Sequence, residues 1–336
     1  MLADHLAELS PLEWLLEPED PGVRYLALRD PVKLPPDAPE LISACIEAHQ
    51  HGPIAHVLKY MSPEGFWSKP GPGYSPKYRS TVWALILLAQ LGASVKQDDR
   101  IMRSCAYLLD NAYAEGGYFS YNGKPSGTIA CLQGNLCWAL TALGYQDPRL
   151  TEAYEWMARS VTGEGVAPNK DKQALVRYFT YTCGPGFQCG ANGDLPCSWG
   201  AAKVMMAFGQ LQKEKGTDLI QRAIERGVDF IFSVEPTTAS WPYREKIHSG
   251  WWKFGFPVYY LADLLQVAEA LVALGYGDDP RLLPLIQLIK DKANENGRWI
   301  LENDYNQKTW GNYGARDLPN KWVTLRALRV LDVTCN

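Results

Sequence analysis

The segment YYLADLLQVAEALVALGYGDDPRL, residues 259–282, joins a long apolar run to a glycine and a turn. The run is apolar nearly all round, which predicts a buried helix without a solvent-facing side. Gly275 stands where a helix C-cap is expected, and Asp279-Pro280 makes a turn from which a second helix can start. The segment GYQDPRL at residues 144–150 nearly repeats this text. Such a near repeat indicates a two-helix unit used more than once.

Further segments of the chain follow the same plan. The other apolar helices of this type are TVWALILLAQLGA at 81–93, CLQGNLCWALTALGY at 131–145 and CSWGAAKVMMAFGQL at 197–211. Gly-aromatic pairs mark the starts of repeat units, at Gly65, Gly116 and Gly297. The expected helix C-caps are Gly92, Gly144, Gly209 and Gly275. The segment after each apolar helix carries apolar residues at helical spacing with charges between them, which predicts a half-exposed helix. The repeat is about 50 residues long.

Buried helices that alternate with half-exposed ones predict an inner ring enclosed by an outer ring. The segments VRYLALRDPV at 23–32 and WVTLRALRVLDV at 322–333 look like versions of one helix, as a ring needs where its ends meet. The sequence therefore predicts an all-α fold, an α/α toroid of about six inner and six outer helices. We expect a single domain over residues 1–336.

The composition narrows the class of function. The chain has a net charge of −4 with acids and bases interspersed, and it has no basic stripe with aromatic partners, so we do not expect nucleic acid as a partner. Its 12 Trp and 18 Tyr point instead to a site that uses large flat side chains. The first residues carry acids where a secretory signal needs a basic start, which favours a cytoplasmic protein and leaves weak peripheral membrane contact open.

Four motifs carry a resemblance to known proteins. They are CLQGN at Cys131, GPGFxC at Gly184, LPCxWG at Leu195 and NKWVTLRALRVL at Asn320. The chain resembles the α/α toroids of squalene-hopene cyclases and of the β subunits of protein prenyltransferases, and a group of uncharacterised bacterial single-toroid proteins with these motifs. The resemblance implies a terpene cyclase-like or prenyltransferase-like enzyme with a hydrophobic, isoprenoid-like substrate in a central, aromatic-lined cavity. The chain lacks the D-x-D-D and D-D-x-x-D motifs of the cyclases.

The cysteines suggest a metal site. Cys131 and Cys197 occupy the same position in consecutive units, the first turn of an inner helix, where the helix N-terminus favours a thiolate. Cys183 and Cys189 lie in the glycine-rich loop that precedes Cys197. Three or four sulfurs satisfy tetrahedral Zn²⁺. The resemblance supports this prediction, because prenyltransferases and the lanthionine-forming cyclases hold zinc at the mouth of their toroids.

Two other interpretations of these cysteines stay open. Cys183 and Cys189 can form a redox pair, or the thiols can pack as small hydrophobic groups. Cys45, Cys105 and Cys137 lie on apolar helical faces, which predicts core positions, and Cys335 is a terminal thiol.

Loops rich in aromatic and basic residues are predicted to enter the same mouth of the toroid. We expect Tyr78, Arg79, Trp252, Lys253 and Trp310 to bind substrate. The resemblance implies that aromatic faces stabilise carbocations there and that cations hold a diphosphate. The alternative is that these aromatic residues only fill space between helix ends.

Asp263 is the candidate catalytic residue, because a carboxylate within an apolar helix is costly unless it is paired or protonated. A raised pKa would suit a general acid, whereas the alternative is a salt bridge to a neighbouring inner helix. The predicted function is a zinc-containing toroid enzyme that acts on an isoprenoid-like substrate. The alternatives are a non-catalytic lipid- or partner-binding toroid with structural zinc, and a thiol redox protein.

Overall fold

The computed structural model describes residues 9–166, 183–211 and 216–334. The α-helices in this part of the chain are α1 (Pro11–Leu15), α2 (Pro21–Arg29), α3 (Pro39–Gln50), α4 (Pro53–Lys59), α5 (Thr81–Gln90), α6 (Asp99–Ala112), α7 (Ala130–Ala142), α8 (Pro148–Thr162), α9 (Ser198–Gln210), α10 (Asp218–Ile231), α11 (Leu264–Ala273), α12 (Leu283–Asp291) and α13 (Lys321–Thr334).

Within the described residues, the strands are two residues long and form three isolated pairs. They are β1 (Tyr113–Ala114) antiparallel to β2 (Tyr118–Phe119), β3 (Gln188–Cys189) antiparallel to β4 (Leu195–Pro196), and β5 (Gly255–Phe256) parallel to β6 (Asn303–Asp304). Short 3-10 turns lie at Pro125–Gly127, Pro185–Phe187, Gly190–Asn192, Ser249–Trp252 and Pro280–Leu282. These pairs and turns shape loops, so the fold is all-α.

Six of the helices in the described part of the chain form a closed inner ring. Helix α7 packs against α5 and α9, and α11 packs against α9 and α13. Helix α13 packs against α2, and Leu26 of α2 lies against Gly92 at the end of α5, which closes the ring. Helices α3, α6, α8, α10 and α12 connect successive inner helices and pack outside them. The predicted α/α toroid is confirmed.

Burial follows the predicted difference between the two kinds of helix. In α5, every residue from Thr81 to Ala89 is buried, whereas α10 buries an apolar stripe and exposes its charged residues. Gly92, Gly144 and Gly275 end inner helices with φ of 79°, 79° and 88°, as helix C-caps do. The same prediction is wrong for Gly209.

Gly209 lies inside α9, and its role is close packing. A Cβ atom at this position would approach the Cβ of Ala273 in α11 to 2.7 Å. A tighter contact occurs between α7 and α9, where a Cβ at Gly134 would lie 2.3 Å from the backbone carbonyl carbon of Lys203. Glycine at Gly134 therefore sets how closely these two inner helices approach each other.

The inner helices all start at one end of the ring, which we call the helix-start mouth, and end at the other, the helix-end mouth. Cys131 is the second residue of α7, Cys197 is the N-cap of α9, and Asp263 is the N-cap of α11. All three therefore lie toward the helix-start mouth. Within the described ranges, the chain has no helix with both the length and the apolar character that crossing a membrane requires.

Candidate functional site

A central cavity of about 490 Å³ runs between the inner helices. Its lining comes from all six of them and extends from mid-helix positions to the last turns, so the cavity lies toward the helix-end mouth. This volume is within the range of small-molecule sites. The lining residues are Arg29, Asp30, Ala89, Gln90, Gly134, Asn135, Trp138, Ala142, Lys203, Met206, Gln210, Phe256, Val258, Gln266, Glu269, Val272, Ala273, Arg326, Arg329 and Val330.

The cavity wall is mixed rather than aromatic. Trp138 and Phe256 are the aromatic members of this lining, and small or aliphatic side chains such as Met206 and Val272 supply most of its remaining apolar surface. Polar and charged side chains share the wall with them. The prediction of an aromatic-lined central cavity is therefore wrong for this lining, because the aromatic side chains gather at the helix-start mouth instead.

The arginines on the wall are paired with acids. Asp30 accepts from Arg29 at 2.6 Å and from Arg329 at 2.5 Å. Arg326 donates to Glu269 at 2.7 Å and also pairs with Asp263, which lies beside the cavity. Both acids raise the already high pKa of Arg326. These pairs satisfy the charge of the three guanidinium groups within the protein.

Lys203 differs from these arginines. Its side chain is 1% exposed, and its ammonium nitrogen has no hydrogen-bond partner within the described residues. Burial lowers the pKa of Lys203 to about 7, although the nearby Asp263 carboxylate acts in the opposite direction. An amine in this state is only partly protonated at neutral pH, so it can either donate to an anion or accept a proton.

Asp263 is not placed as the sequence predicted. It is the N-cap of α11 rather than a residue inside the helix, and its Oδ1 accepts from the Gln266 backbone N–H at 2.7 Å. Its two oxygens also accept from Arg326 at 2.9 and 3.0 Å, and Gly255 donates to it at 3.2 Å. Asp263 is thus a buried ion-pair partner, which is the alternative that the sequence had left open. It is not part of the cavity lining.

The predicted substrate residue Tyr78 belongs to an aromatic cluster at the helix-start mouth. The cluster consists of Tyr78, Trp83, Tyr259 and Tyr305, with ring centroids of Tyr78 at 5.0, 5.1 and 4.5 Å from the other three. Burial raises the pKa of Tyr78, and the hydroxyl of Tyr259 hydrogen-bonds to Thr309. These rings pack on each other, as the space-filling alternative expects.

Arg79 and Trp310 also meet, but outside the central cavity. The Arg79 guanidinium lies 5.5 Å from the Trp310 ring centroid, and the Trp310 indole donates to the Arg79 carbonyl at 3.0 Å. Trp252 and Lys253 lie elsewhere: the Trp252 indole donates to the Thr237 carbonyl at 2.7 Å, and Lys253 is exposed. None of the five predicted substrate residues is in the central lining, so their role in binding stays a prediction.

The glycine-rich loop brings Cys189 next to Cys197. The proximity of the two thiols lowers the pKa of Cys189 and raises that of Cys197. The backbone N–H groups of Ala191 and Asn192 hydrogen-bond to the Cys189 sulfur, and that of Gly200 to the Cys197 sulfur. The prediction that Cys189 folds back onto Cys197 agrees with this arrangement.

Cys131 and Cys183 have other partners. The Cys131 thiol hydrogen-bonds to the Tyr260 hydroxyl, and burial raises its pKa to about 11. The Cys183 sulfur lies 3.4 Å from the Ser160 hydroxyl, and burial raises its pKa to about 12. The expectation that the helix start lowers the pKa of Cys131 and Cys197 is therefore wrong, since burial raises the first and contact with Cys189 raises the second.

The four cysteines do not form a ready metal site. In the ranges that the structure describes, no three or more His, Cys, Asp or Glu side chains are placed to hold one metal ion. Each thiol already has a neighbour that it contacts, namely a hydroxyl or the other thiol. Cys45, Cys105 and Cys137 are buried as predicted, and Cys335 lies outside the described residues.

Sequence reasoning missed Lys203, Glu269 and Arg326. The rule that had singled out Asp263, a charged residue in a nearly apolar helix, applies equally to Lys203 in AAKVMMAF and to Glu269 in QVAEALVA. Arg326 offers the same signal in the segment WVTLRALRVL. Applied to every inner helix, this rule finds both acids, the arginine and the lysine.

The ring of inner helices and the cavity within it define this chain as an α/α toroid. No family model and no curated protein sequence matches it. Among solved structures it is similar to a variant of the type II terpene cyclase MstE from Scytonema in complex with geranylgeranyl dihydroxybenzoate. The two chains are 15% identical, the match covers 87% of this chain and 96% of that chain, and the TM-score is 0.34.

Two other solved structures are similar to the same extent. Ligand-free MstE has 14% identity, covers 87% of this chain and 97% of its own, and gives a TM-score of 0.33. A protein from Actinoplanes has 12% identity, covers 88% of this chain and 99% of its own, and gives a TM-score of 0.32. At these TM-scores the likeness carries no weight, and the assignment of the fold rests on the packing of the helices themselves.

Proposed function

We propose that this protein is an enzyme that binds an isoprenoid-like, amphipathic substrate in the central cavity, with Lys203 at the substrate's polar group. The observation that carries the proposal is the buried amine of Lys203, which lies on the cavity wall without a hydrogen-bond partner in the described part of the chain. Leaving such a group unpaired costs free energy, which a ligand can recover by pairing with it.

The chemistry of the wall supports an amphipathic substrate. Side chains such as Trp138, Met206 and Val272 offer apolar contact to a hydrocarbon body, whereas Lys203 and Gln266 present polar atoms. The side-chain oxygen of Gln266 is also buried without a partner among the described residues. The isoprenoid class itself comes from the resemblance of the repeats to cyclases and prenyltransferases.

In this proposal Lys203 is the catalytic residue and acts as a general base, whereas the sequence had suggested Asp263 as a general acid. With a pKa of about 7, both forms of Lys203 are present at neutral pH. The ammonium form pairs with the polar group of the substrate, and the neutral amine accepts a proton from a bound substrate. A general base is most effective when its pKa is close to the working pH. Asp263 acts through its ion pair, which holds Arg326 in the wall.

Binding can be tested with farnesyl diphosphate as the probe and tryptophan fluorescence as the readout, because Trp138 lies on the wall. We expect Lys203→Met to raise Kd at least about tenfold, as the loss of one charge-assisted hydrogen bond does. Lys290→Met, at an exposed lysine of α12, is the control and should leave Kd unchanged. If Lys203→Met binds like the wild type and Lys253→Met does not, the substrate site is at the helix-start mouth and the proposal is wrong.

Product analysis separates the enzyme from the non-catalytic lipid-binding alternative. The wild type should convert the bound probe or a lipid that co-purifies with the protein, and Lys203→Met should not. Recovery of every bound lipid unchanged would favour a binding protein. Zinc at Cys131, Cys183, Cys189 and Cys197 stays a separate prediction, which elemental analysis of protein purified without chelator measures.

A further inference from the structure

The thiols at the helix-start mouth do not take part in the proposed reaction of the cavity. Cys189 is buried, with 9% of its surface exposed, and Cys197 is half-buried. Strand β3 ends with Cys189 and pairs with β4 in a register that sets Cys189 opposite Leu195. Cys197, two residues further on, is therefore the diagonal neighbour of Cys189 on the same face of the hairpin.

The contacts of the four cysteines separate one pair from the other two thiols. Cys189 and Cys197 are neighbours on one face of the β3–β4 hairpin. In contrast, Cys131 is engaged by the Tyr260 hydroxyl and Cys183 by the Ser160 hydroxyl. A zinc ion needs three or four sulfurs at about 2.3 Å, and this arrangement supplies only two thiols in mutual contact. Two thiols in contact are what a disulfide requires.

We infer that Cys189 and Cys197 form a dithiol that a low-molecular-weight disulfide oxidises by thiol–disulfide exchange. This assigns the redox chemistry to Cys189 and Cys197 rather than to the pair of Cys183 and Cys189 considered from the sequence. It also competes directly with zinc binding, because the same sulfurs cannot serve both.

The positions of the two cysteines set the order of the two exchange steps. Cys189 is the attacking sulfur, because it precedes the glycine-containing loop and can move, whereas Cys197 is fixed as the N-cap of α9. The thiolate attacks one sulfur of the small disulfide, the S–S bond breaks, and one small thiol leaves. The Cys197 thiol then loses its proton and attacks the Cys189 sulfur, which releases the second small thiol and forms the internal disulfide. The protein loses two electrons and two protons, and the small disulfide gains them.

The loop between the two cysteines allows the sulfurs to close to bonding distance, which is about 2.0 Å. The segment contains Gly190 and Gly193, and Gly193 has a φ of 67°. The N-terminal end of α9 fixes Cys197, so the movement falls on Cys189 and the residues that follow it.

The test uses the full chain, first reduced and then incubated without oxygen in buffers of varied ratio of reduced to oxidised glutathione. Free thiols are blocked, and the protein is digested and mapped by mass spectrometry. We expect one internal disulfide that joins Cys189 to Cys197, rising from near absence to near completion as oxidised glutathione increases. Cys197→Ser should instead keep one glutathione on Cys189, and Cys45→Ser should behave like the wild type.

Three results would overturn the inference. The first is an internal disulfide that uses Cys131 or Cys183 in the wild type. The second is no internal disulfide at any glutathione ratio. The third is about one zinc per chain that protects Cys189 and Cys197 from glutathione, as a metal–thiolate site does. Because the wild-type peptide map alone decides among these results, the test does not depend on the folding of Cys197→Ser, and Cys131→Ser should retain the disulfide.

Discussion

Replacing Asp263 by Asn tests whether this residue holds the ring together or carries out the chemistry. Asp263 accepts four hydrogen bonds, two of them from Arg326 and two from the backbone N–H groups of Gln266 and Gly255. Asparagine can keep the cap of α11 through its oxygen. Its amide nitrogen, however, takes the place of the second carboxylate oxygen, which accepts hydrogen bonds from Arg326 and from the Gly255 N–H. An amide N–H cannot accept, so these two hydrogen bonds are lost and donors face each other instead.

The size of the effect follows from these contacts. Breaking a buried ion pair costs about 3–5 kcal/mol, and the lower end applies here because Arg326 keeps Glu269 at 2.7 Å and the Gly255 carbonyl at 2.7 Å. An unfolding entropy of about 2.1 cal/mol/K per residue gives about 0.7 kcal/mol/K for the 336-residue chain. A loss of about 3 kcal/mol therefore lowers Tm by about 4 °C.

Thermal unfolding followed by far-ultraviolet circular dichroism measures this difference. Asp279→Asn is the matched control, because Asp279 is also a cap and also pairs with an arginine, Arg281, but does so at the surface. Exposed pairs contribute little, so the control should change Tm by less than about 1 °C. If Asp263→Asn unfolds at the wild-type temperature and loses activity, the structural interpretation of Asp263 is wrong, and the result supports the catalytic role predicted from the sequence.

Two further predictions concern the inner helices. Lys203→Met should gain stability relative to the wild type at low pH. Between pH 7 and 9 the stability of the wild type should rise by about 2 kcal/mol, which reduces its difference from Lys203→Met. The reason is that the pKa of Lys203 is about 7 in the folded protein and 10.5 in the unfolded chain, so the unfolded chain binds more protons in this pH range. Urea unfolding at both pH values measures it, and a constant difference contradicts it. Gly134→Ala should lower Tm by about 1–4 °C through overpacking against Lys203, whereas Gly200→Ala, whose added Cβ has no neighbour closer than 3.4 Å, should not lower it.

The fold could be predicted because its signal is local and repeated. An inner helix such as α5 is apolar on every side, and the glycines Gly92, Gly144 and Gly275 end such helices at matching positions. Gly209 shows the limit of the pattern. It occupies the same place in its unit, but the reason for glycine there is a contact with Ala273 of another helix, which no local pattern records.

The site was harder to predict because it depends on which end of the ring a side chain reaches. Cys131 and Cys197 were placed correctly at helix starts, and the glycine loop does bring Cys189 to Cys197. The cavity, however, extends toward the other mouth, which the sequence does not encode in any single segment. Burial also reversed the expected pKa of Cys131, since desolvation of a thiolate outweighs the helix N-terminus at a fully buried position.

Lys203 links the two ends of the toroid through electrostatics. The charges that act on its amine include the carboxylates of Asp263 and Glu269, which raise its pKa, and the guanidinium of Arg326, which lowers it. The ion pair therefore has two effects: it stabilises the ring between α11 and α13, and it keeps the amine of Lys203 from losing its proton completely in a buried setting. Without these acids, burial would lower the pKa of Lys203 further. With them, its protonation changes near neutrality, where a proton acceptor on the cavity wall is most useful.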